Sequence, residues 1–213
     1  AVLALAKGAE IVLNLHSAGE ARYLPHVIFY RPEDTEWAAS LGLAFVIMRR
    51  RLDDMPDHIV ARLQPEQRSV TLELGGGIVA YPEDVAVGVE AVLALLGRSG
   101  FLESGDYERE PTPPHLIYMY DARLLVRAPA EGVFYTQARL GADFSQGEPF
   151  GFWVPLDGLQ PQPVLCPELC PESVEGLAKG QSPEAVKLIY LRARNRVSQG
   201  ETLAMFLPHQ SDK

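Results

Sequence analysis

The chain has 213 residues, 47% of them hydrophobic, a formal net charge of −9 and a pI near 5.1. That is enough apolar material for one large or two small cores, which excludes disorder as the main state. The acidic balance excludes a general attraction to nucleic-acid backbones or anionic membranes, and no apolar run approaches the ~20 residues that a bilayer span needs. The first residues lack the basic flank and cleavage pattern of a secretion signal, so the expected compartment is the cytoplasm.

Read from its amino end, the chain starts directly in a helix-like stretch, "AVLALAKGAE", so further sequence upstream of Ala1 is expected. "IVLNL" then reads as a buried strand that ends in His16 and the small residues Ser17, Ala18 and Gly19. "EDTEWAASLG" reads as a helix ending at Gly42, "LAFVIM" as a strand, "DHIVARLQ" as a helix and "SVTLEL" as a strand running into Gly75, Gly76 and Gly77. "YPEDVAVGVEAVLALLG" has Pro82 and acids at its start, Gly97 at its end, and Val85, Val89, Val92, Leu93 and Leu96 as its apolar stripe, which predicts a helix. Alternating strands and helices predict an α/β layer structure over residues 1–110, where most of the acidic excess lies.

Pro111, Pro113 and Pro114 mark a linker, after which short runs such as "LIYMY", "LLVRA", "GVFYTQ" and "PFGFWV" predict an all-β unit over residues 115–213. Within it "APAEGVFYTQARLGADFSQGEPFGFW" lines up with "SPEAVKLIYLRARNRVSQGETLAMF". Two copies of one hairpin unit would pack on each other as a small barrel or sandwich. Neither SQGE turn carries the lysine of a swinging-arm carrier, so that class is set aside. Cys166 and Cys170 form a C-x3-C pair without nearby ligands, which reads as a proline-rich loop with two free thiols.

Two strands of the first part end in polar residues, His16 and Glu73, each before a glycine-containing loop. In open α/β sheets ligands gather at the carboxyl ends of strands. Alone, each residue is more often structural than functional. Together, a zinc ion held by His16 and a carboxylate at Glu73 that takes a proton from water would make a metal-assisted hydrolase. The run Arg49, Arg50, Arg51 with Asp53 and Asp54 reads as a solvated, charge-paired loop.

"EIVLNLHSAG", "VTLELGGG" followed by a helix, the proline-rich linker and "APAEG" with "LGADFSQGE" resemble the succinylglutamate desuccinylase/aspartoacylase family of zinc-dependent N-acyl amino acid amidohydrolases. "LHSAG" and "LELGGG" are similar to its branch that deacetylates N-acetyl-diaminobutyrate. The resemblance runs along essentially the whole chain and corresponds to the carboxyl-terminal two thirds or so of a family member. It implies a zinc-carboxypeptidase-like mixed-sheet α/β domain, incomplete at its amino terminus, followed by a small all-β barrel or sandwich domain. It gives His16 the role of the third zinc ligand and Glu73 that of the catalytic base, acting on a small N-acyl amino acid. Arg62 and Arg68, just upstream of Glu73, are the expected partners of the substrate carboxylate.

Two departures stand out. The family's Asp before Leu-His is Asn14 here, which removes a charge that would steady the ligand. None of His16, His26, His58, His115 or His209 is followed three residues later by Glu, so the family's His-x-x-Glu pair of ligands is missing. The chain alone is therefore expected to be inactive, either as part of a zinc deacylase or as a non-catalytic relative that binds a small ligand or a protein. The acyl group and the oligomeric state, including a possible homo-oligomer, are not legible.

Overall fold

The computed structural model describes residues 2–49, 59–63, 66–103, 116–119, 123–158, 160–168, 185–192 and 195–209. In chain order come helix α1 (Val2–Ala6) and strands β1 (Ile11–His16), β2 (Ala21–Tyr23) and β3 (His26–Phe29). A 3-10 turn at Pro32–Asp34 leads into α2 (Thr35–Ala39), followed by β4 (Phe45–Met48), a 3-10 turn at Ile59–Arg62, β5 (Arg68–Glu73) and α3 (Pro82–Arg98). The later described elements are strands: β6 (Leu116–Met119), β7 (Leu124–Arg127), β8 (Gly132–Tyr135), β9 (Asp143–Phe144) and β10 (Pro149–Pro155). They continue with β11 (Gln162–Leu165), β12 (Ala185–Arg192), β13 (Arg196–Val197) and β14 (Thr202–His209). The chain divides into two units, the first taking Ala1–His16, Pro25–Leu74 and Ala80–Tyr120, the second Ser17–Leu24, Gly75–Val79 and Asp121–Lys213.

The first unit is built on a mixed five-stranded sheet in the order β1-β5-β3-β4-β6, with β3 and β5 antiparallel and the other neighbours parallel. Alternation along the strands sends Val70 and Leu72, Val27 and Phe29, and Val46 and Met48 to one face, where they pack with Ala38, Leu41, Ala91 and Leu95.

Four expectations need correction. First, β1 lies at one end of the strand order and is half-buried, not a buried strand, so its side chains meet one strand neighbour only among the described residues. Second, the inward line of α3 is Asp84, Gly88, Ala91 and Leu95 with Ala94, while Val85 and Val89 face outward. Small residues let the helix lie close: a Cβ on Gly88 would meet Leu74 Cδ1 at 2.8 Å. Val92 and Leu96 do pack on the core as expected. Third, the described part of "DHIVARLQ" forms one 3-10 turn. Fourth, "LIYMY" supplies β6, which extends the first sheet parallel to β4 instead of opening the β unit. The linker at Pro111, Pro113 and Pro114, together with Cys170 and the residues Arg50, Arg51, Asp53 and Asp54, lies outside the described residues.

In the second unit, β11-β10-β8-β13 form one sheet, while β2-β12-β14-β7, with β9 against β12, form another. The sequence repeat reappears as reciprocal pairing. Val133 and Gly132 of β8 pair with Arg196 and Val197 of β13, and Lys187 and Val186 of β12 pair with Asp143 and Phe144 of β9. Each copy thus completes the other. The two SQGE turns match as well: Ser145 N–H donates to Glu148 Oε2 at 2.8 Å and Ser198 N–H to Glu201 Oε2 at 2.7 Å. Gly147 and Gly200 take φ of 74° and 80°, the left-handed conformation that favours glycine. Between the sheets Phe134, Phe144, Phe150 and Phe206 meet edge to face, with Trp153, Val186, Leu188 and Leu203 around them.

Candidate active site

Parallel pairing of β1 with β5 sets His16 opposite Glu73, and antiparallel pairing of β3 with β5 sets His26 opposite the same residue. All three side chains therefore leave one face of the sheet, away from the helix-packed core. His16 Nδ1 lies 3.4 Å from Glu73 Oε1, with the imidazole side chain 60% exposed and the glutamate side chain 9% exposed. Two residues back along the strands, Asn14 Nδ2 donates to Thr71 Oγ1 at 3.4 Å and the Tyr30 hydroxyl shares a 2.7 Å hydrogen bond with that same oxygen. Asn14 thus sits on the face of His16 and turns its amide to Thr71.

The arginines are placed differently from the expectation. Arg68 starts β5 and Glu73 ends it, which separates their Cα atoms by ~16 Å. At that far end Arg68 Nε lies 3.3 Å from Asp34 Oδ1 and its guanidinium sits over the Trp37 ring at 5.5 Å. Arg62 is exposed at the end of the 3-10 turn that precedes β5. Neither is brought to Glu73 by strand register: a few residues upstream of a strand's end is that strand's beginning. The sequence reading missed His26, Thr71 and Tyr30, whose only signal is an even spacing from strand-end residues once the register is known.

The loops that follow His16 and Glu73 are interlocked within the second unit. Ala18 and Tyr23 N–H groups both donate to Gly75 O, at 3.2 and 3.1 Å, and Gly77 N–H donates to Gly19 O at 3.1 Å. The approach is so close that a Cβ on Gly77 would lie 2.7 Å from Gly19 Cα. Arg192 of β12 ties the first loop down, reaching Glu20 at 3.2 Å and Glu201 at 3.0 Å.

A catalytic zinc site takes three protein ligands and leaves a fourth position open. Among the described residues no group of three His, Cys, Asp or Glu side chains is placed to hold a metal ion. His16 and Glu73 offer one imidazole and one carboxylate, a donor set too small for zinc by itself. What the pair can do unaided is accept and hold a proton, since a buried carboxylate facing a wet strand end is suited to take one from a water molecule.

No protein-family model matches the chain. The N-alpha-acetyl-L-2,4-diaminobutyric acid deacetylase of Halomonas elongata is 26% identical over 148 residues, which cover 66% of this chain and 43% of that enzyme. The apo structure of the ectoine utilization protein EutE (DoeB) from Ruegeria pomeroyi superposes with a TM-score of 0.74 at 17% identity, covering 95% of this chain and 62% of the other. A succinylglutamate desuccinylase/aspartoacylase from Rhodobacter sphaeroides gives a TM-score of 0.69 at 18% identity, covering 94% of this chain and 59% of the other. The chain thus spans less than half the length of the deacetylase and less than two thirds of either solved protein. Its fold is that of the succinylglutamate desuccinylase/aspartoacylase family, the family that its motifs resemble.

Proposed function

We propose that this chain is part of an amidohydrolase that removes the acyl group from a small N-acyl amino acid or related amine, with Glu73 as the general base. The observation that carries the reading is the His16–Glu73 pair at matched strand ends. The deacetylase relative supports the substrate class. Glu73 takes a proton from the attacking water as its oxygen bonds to the amide carbon, then returns that proton to the amine as the C–N bond breaks. The products are a carboxylic acid and a free amine.

Zinc is the cofactor we propose, with His16 as one donor and the others outside the described residues. Arg62 stays the proposed partner of the substrate carboxylate, and Asn14, through Thr71, a support of the strand pair that carries the site. No helix among the described residues is long and apolar enough to cross a membrane, in keeping with a cytoplasmic enzyme on a small-molecule substrate. Asn14 in place of the family's Asp and the missing His-x-x-Glu pair motivate a second reading, a non-catalytic relative that binds a small ligand or protein.

Turnover of N-acyl amino acids by the full-length protein and its Glu73→Gln variant separates the two. Activity lost on substitution, with the fold retained, supports the base. Activity retained removes Glu73 from the reaction, and no activity in either favours the binding reading.

A further inference from the structure

Resting on the reading of His16 and Glu73 as the working pair, we propose that Thr71 is a positioning residue. With Asn14 and Tyr30 it forms a hydrogen-bonded crossbar that keeps β1 in the register that sets His16 opposite Glu73. Asn14 Nδ2 donates to Thr71 Oγ1 at 3.4 Å, and the Tyr30 hydroxyl shares a 2.7 Å hydrogen bond with the same oxygen. Thr71 is 3% exposed, so these partners satisfy a hydroxyl that is shut off from water. Asn14 is its direct partner on β1. Tyr30 directly follows β3, two residues after Ile28, the direct partner of Thr71 on that strand. One oxygen of β5 thus ties the strands on both of its sides.

Hydrophobic burial alone specifies the register of β1 weakly. The strand stands at the end of the strand order, half-buried, with one strand neighbour among the described residues. A slip of one residue would turn its apolar set to the wrong face. A slip of two keeps every face: Ile11 would meet Val70 and Leu13 would meet Leu72, where Leu13 and Leu15 meet them now. Polar matching does discriminate. That slip sets Val12 against Thr71 and Asn14 against Glu73, and the opposite slip sets Asn14 against Ser69 and His16 against Thr71. Either one takes the amide off Thr71 and the imidazole off Glu73. A buried polar contact that is satisfied in one alignment only is an attested way of fixing register. The crossbar lies two residues behind the working pair, ~7 Å along the strands. It touches no reacting atom and acts through the strands, holding the two side chains in place before water and substrate arrive.

The test uses the full-length protein with Thr71→Val, Thr71→Ser, Tyr30→Phe and Glu73→Gln. Loss of a support that orients a reacting group costs about 10- to 100-fold, so Thr71→Val, which keeps the shape and removes the hydroxyl, should lower kcat by that factor. KM should move by less than about threefold, because ground-state binding is untouched. Thr71→Ser keeps the hydroxyl and should recover most of the loss, and Tyr30→Phe, which removes one arm, should fall between the two. A readout independent of turnover is the imidazole nitrogen signal of His16 by NMR, which should move in Thr71→Val and return in Thr71→Ser. Unchanged kcat with an unmoved His16 signal in Thr71→Val overturns the proposal, and so does an equal loss in the valine and serine variants, which would assign the effect to packing. An active Glu73→Gln variant overturns the assignment of the base itself and leaves the His16 signal to decide on the crossbar, as it does where the full-length protein turns nothing over. Should Thr71→Val fail to fold, Tyr30→Phe decides by the same two readings.

Discussion

His16 Nδ1 and Glu73 Oε1 lie 3.4 Å apart across a parallel strand pair, the imidazole open to solvent and the glutamate buried. His16 is the imidazole donor proposed above for zinc. Residues 1–213 alone should then hold zinc weakly, while a full-length protein carrying further ligands should hold about one ion per chain. His16→Ala should empty the full-length site. Metal analysis after dialysis checks this, and equal zinc with and without His16 would remove it from the ligand set.

Gly77 is fixed by space. Its own φ is not left-handed, but an added Cβ would press on Gly19 at 2.7 Å from Cα and 2.9 Å from N, and backbone cannot swing aside as a side chain can. Gly77→Ala should cost about 1–3 kcal/mol as the two loops are forced apart. Gly158→Ala, whose Cβ would meet Pro155 Cγ at an ordinary 3.5 Å, should stay within about 0.5 kcal/mol. Urea denaturation of both variants makes the comparison, and equal midpoints would show that the loops yield freely.

What the sequence reveals follows from how local each determinant is. His16 and Glu73 stand out because a polar residue ends each apolar run, and both SQGE turns are visible because the left-handed glycine and the glutamate that accepts the serine N–H recur at fixed positions. Register is not local. His26 faces Glu73 only because β3 runs antiparallel to β5, and nothing in "PHVIF" encodes that direction. The buried line of α3 was hidden for another reason: hydrophobic periodicity selects the large Val85 and Val89, whereas close packing selects Gly88 and Ala91. A four-residue strand such as β6 carries too little pattern to choose its sheet.

Asp34 anchors the opposite end of the first sheet. It is 1% exposed and accepts from Arg31 Nε and Nη2 at 2.7 and 2.9 Å, with Arg68 Nε at 3.3 Å. The hydrogen bond to Asp34 raises the Arg31 guanidinium above its ordinary value. Asp34→Asn would leave two cations facing a neutral amide. Both arginines reach solvent, so the loss should be about 2–3 kcal/mol, below that of a fully buried pair. Because Arg68 stands far from Glu73, turnover per folded molecule should be unchanged. A chemical-denaturation curve together with an active-site assay tests both halves, and a fall in KM or kcat at full folding would return Arg68 to the substrate.

Cys166 gives a pH-dependent test of the second unit. It is 2% exposed within the aromatic core, its N–H donates to Glu148 O at 2.8 Å, and its carbonyl accepts from Gly147 N at 3.0 Å. Burial, reinforced by the nearby Glu148 carboxylate, pushes the thiol from 9.0 up to about 12. A thiol with a raised value holds its proton more tightly folded than unfolded. The stability it contributes is thus fully present below pH 9.0 and declines as pH rises from there toward about 12. In a chain carrying Cys170→Ser, Cys166 should react with a thiol reagent at pH ~8 only as fast as the unit opens, and at the ordinary rate in denaturant. Cys166→Ala should flatten the alkaline decline in stability. Rapid labelling of the folded protein, or an identical alkaline profile after the substitution, would mean that the thiolate is not excluded by the core and that the turn holding Cys166 opens without unfolding the unit.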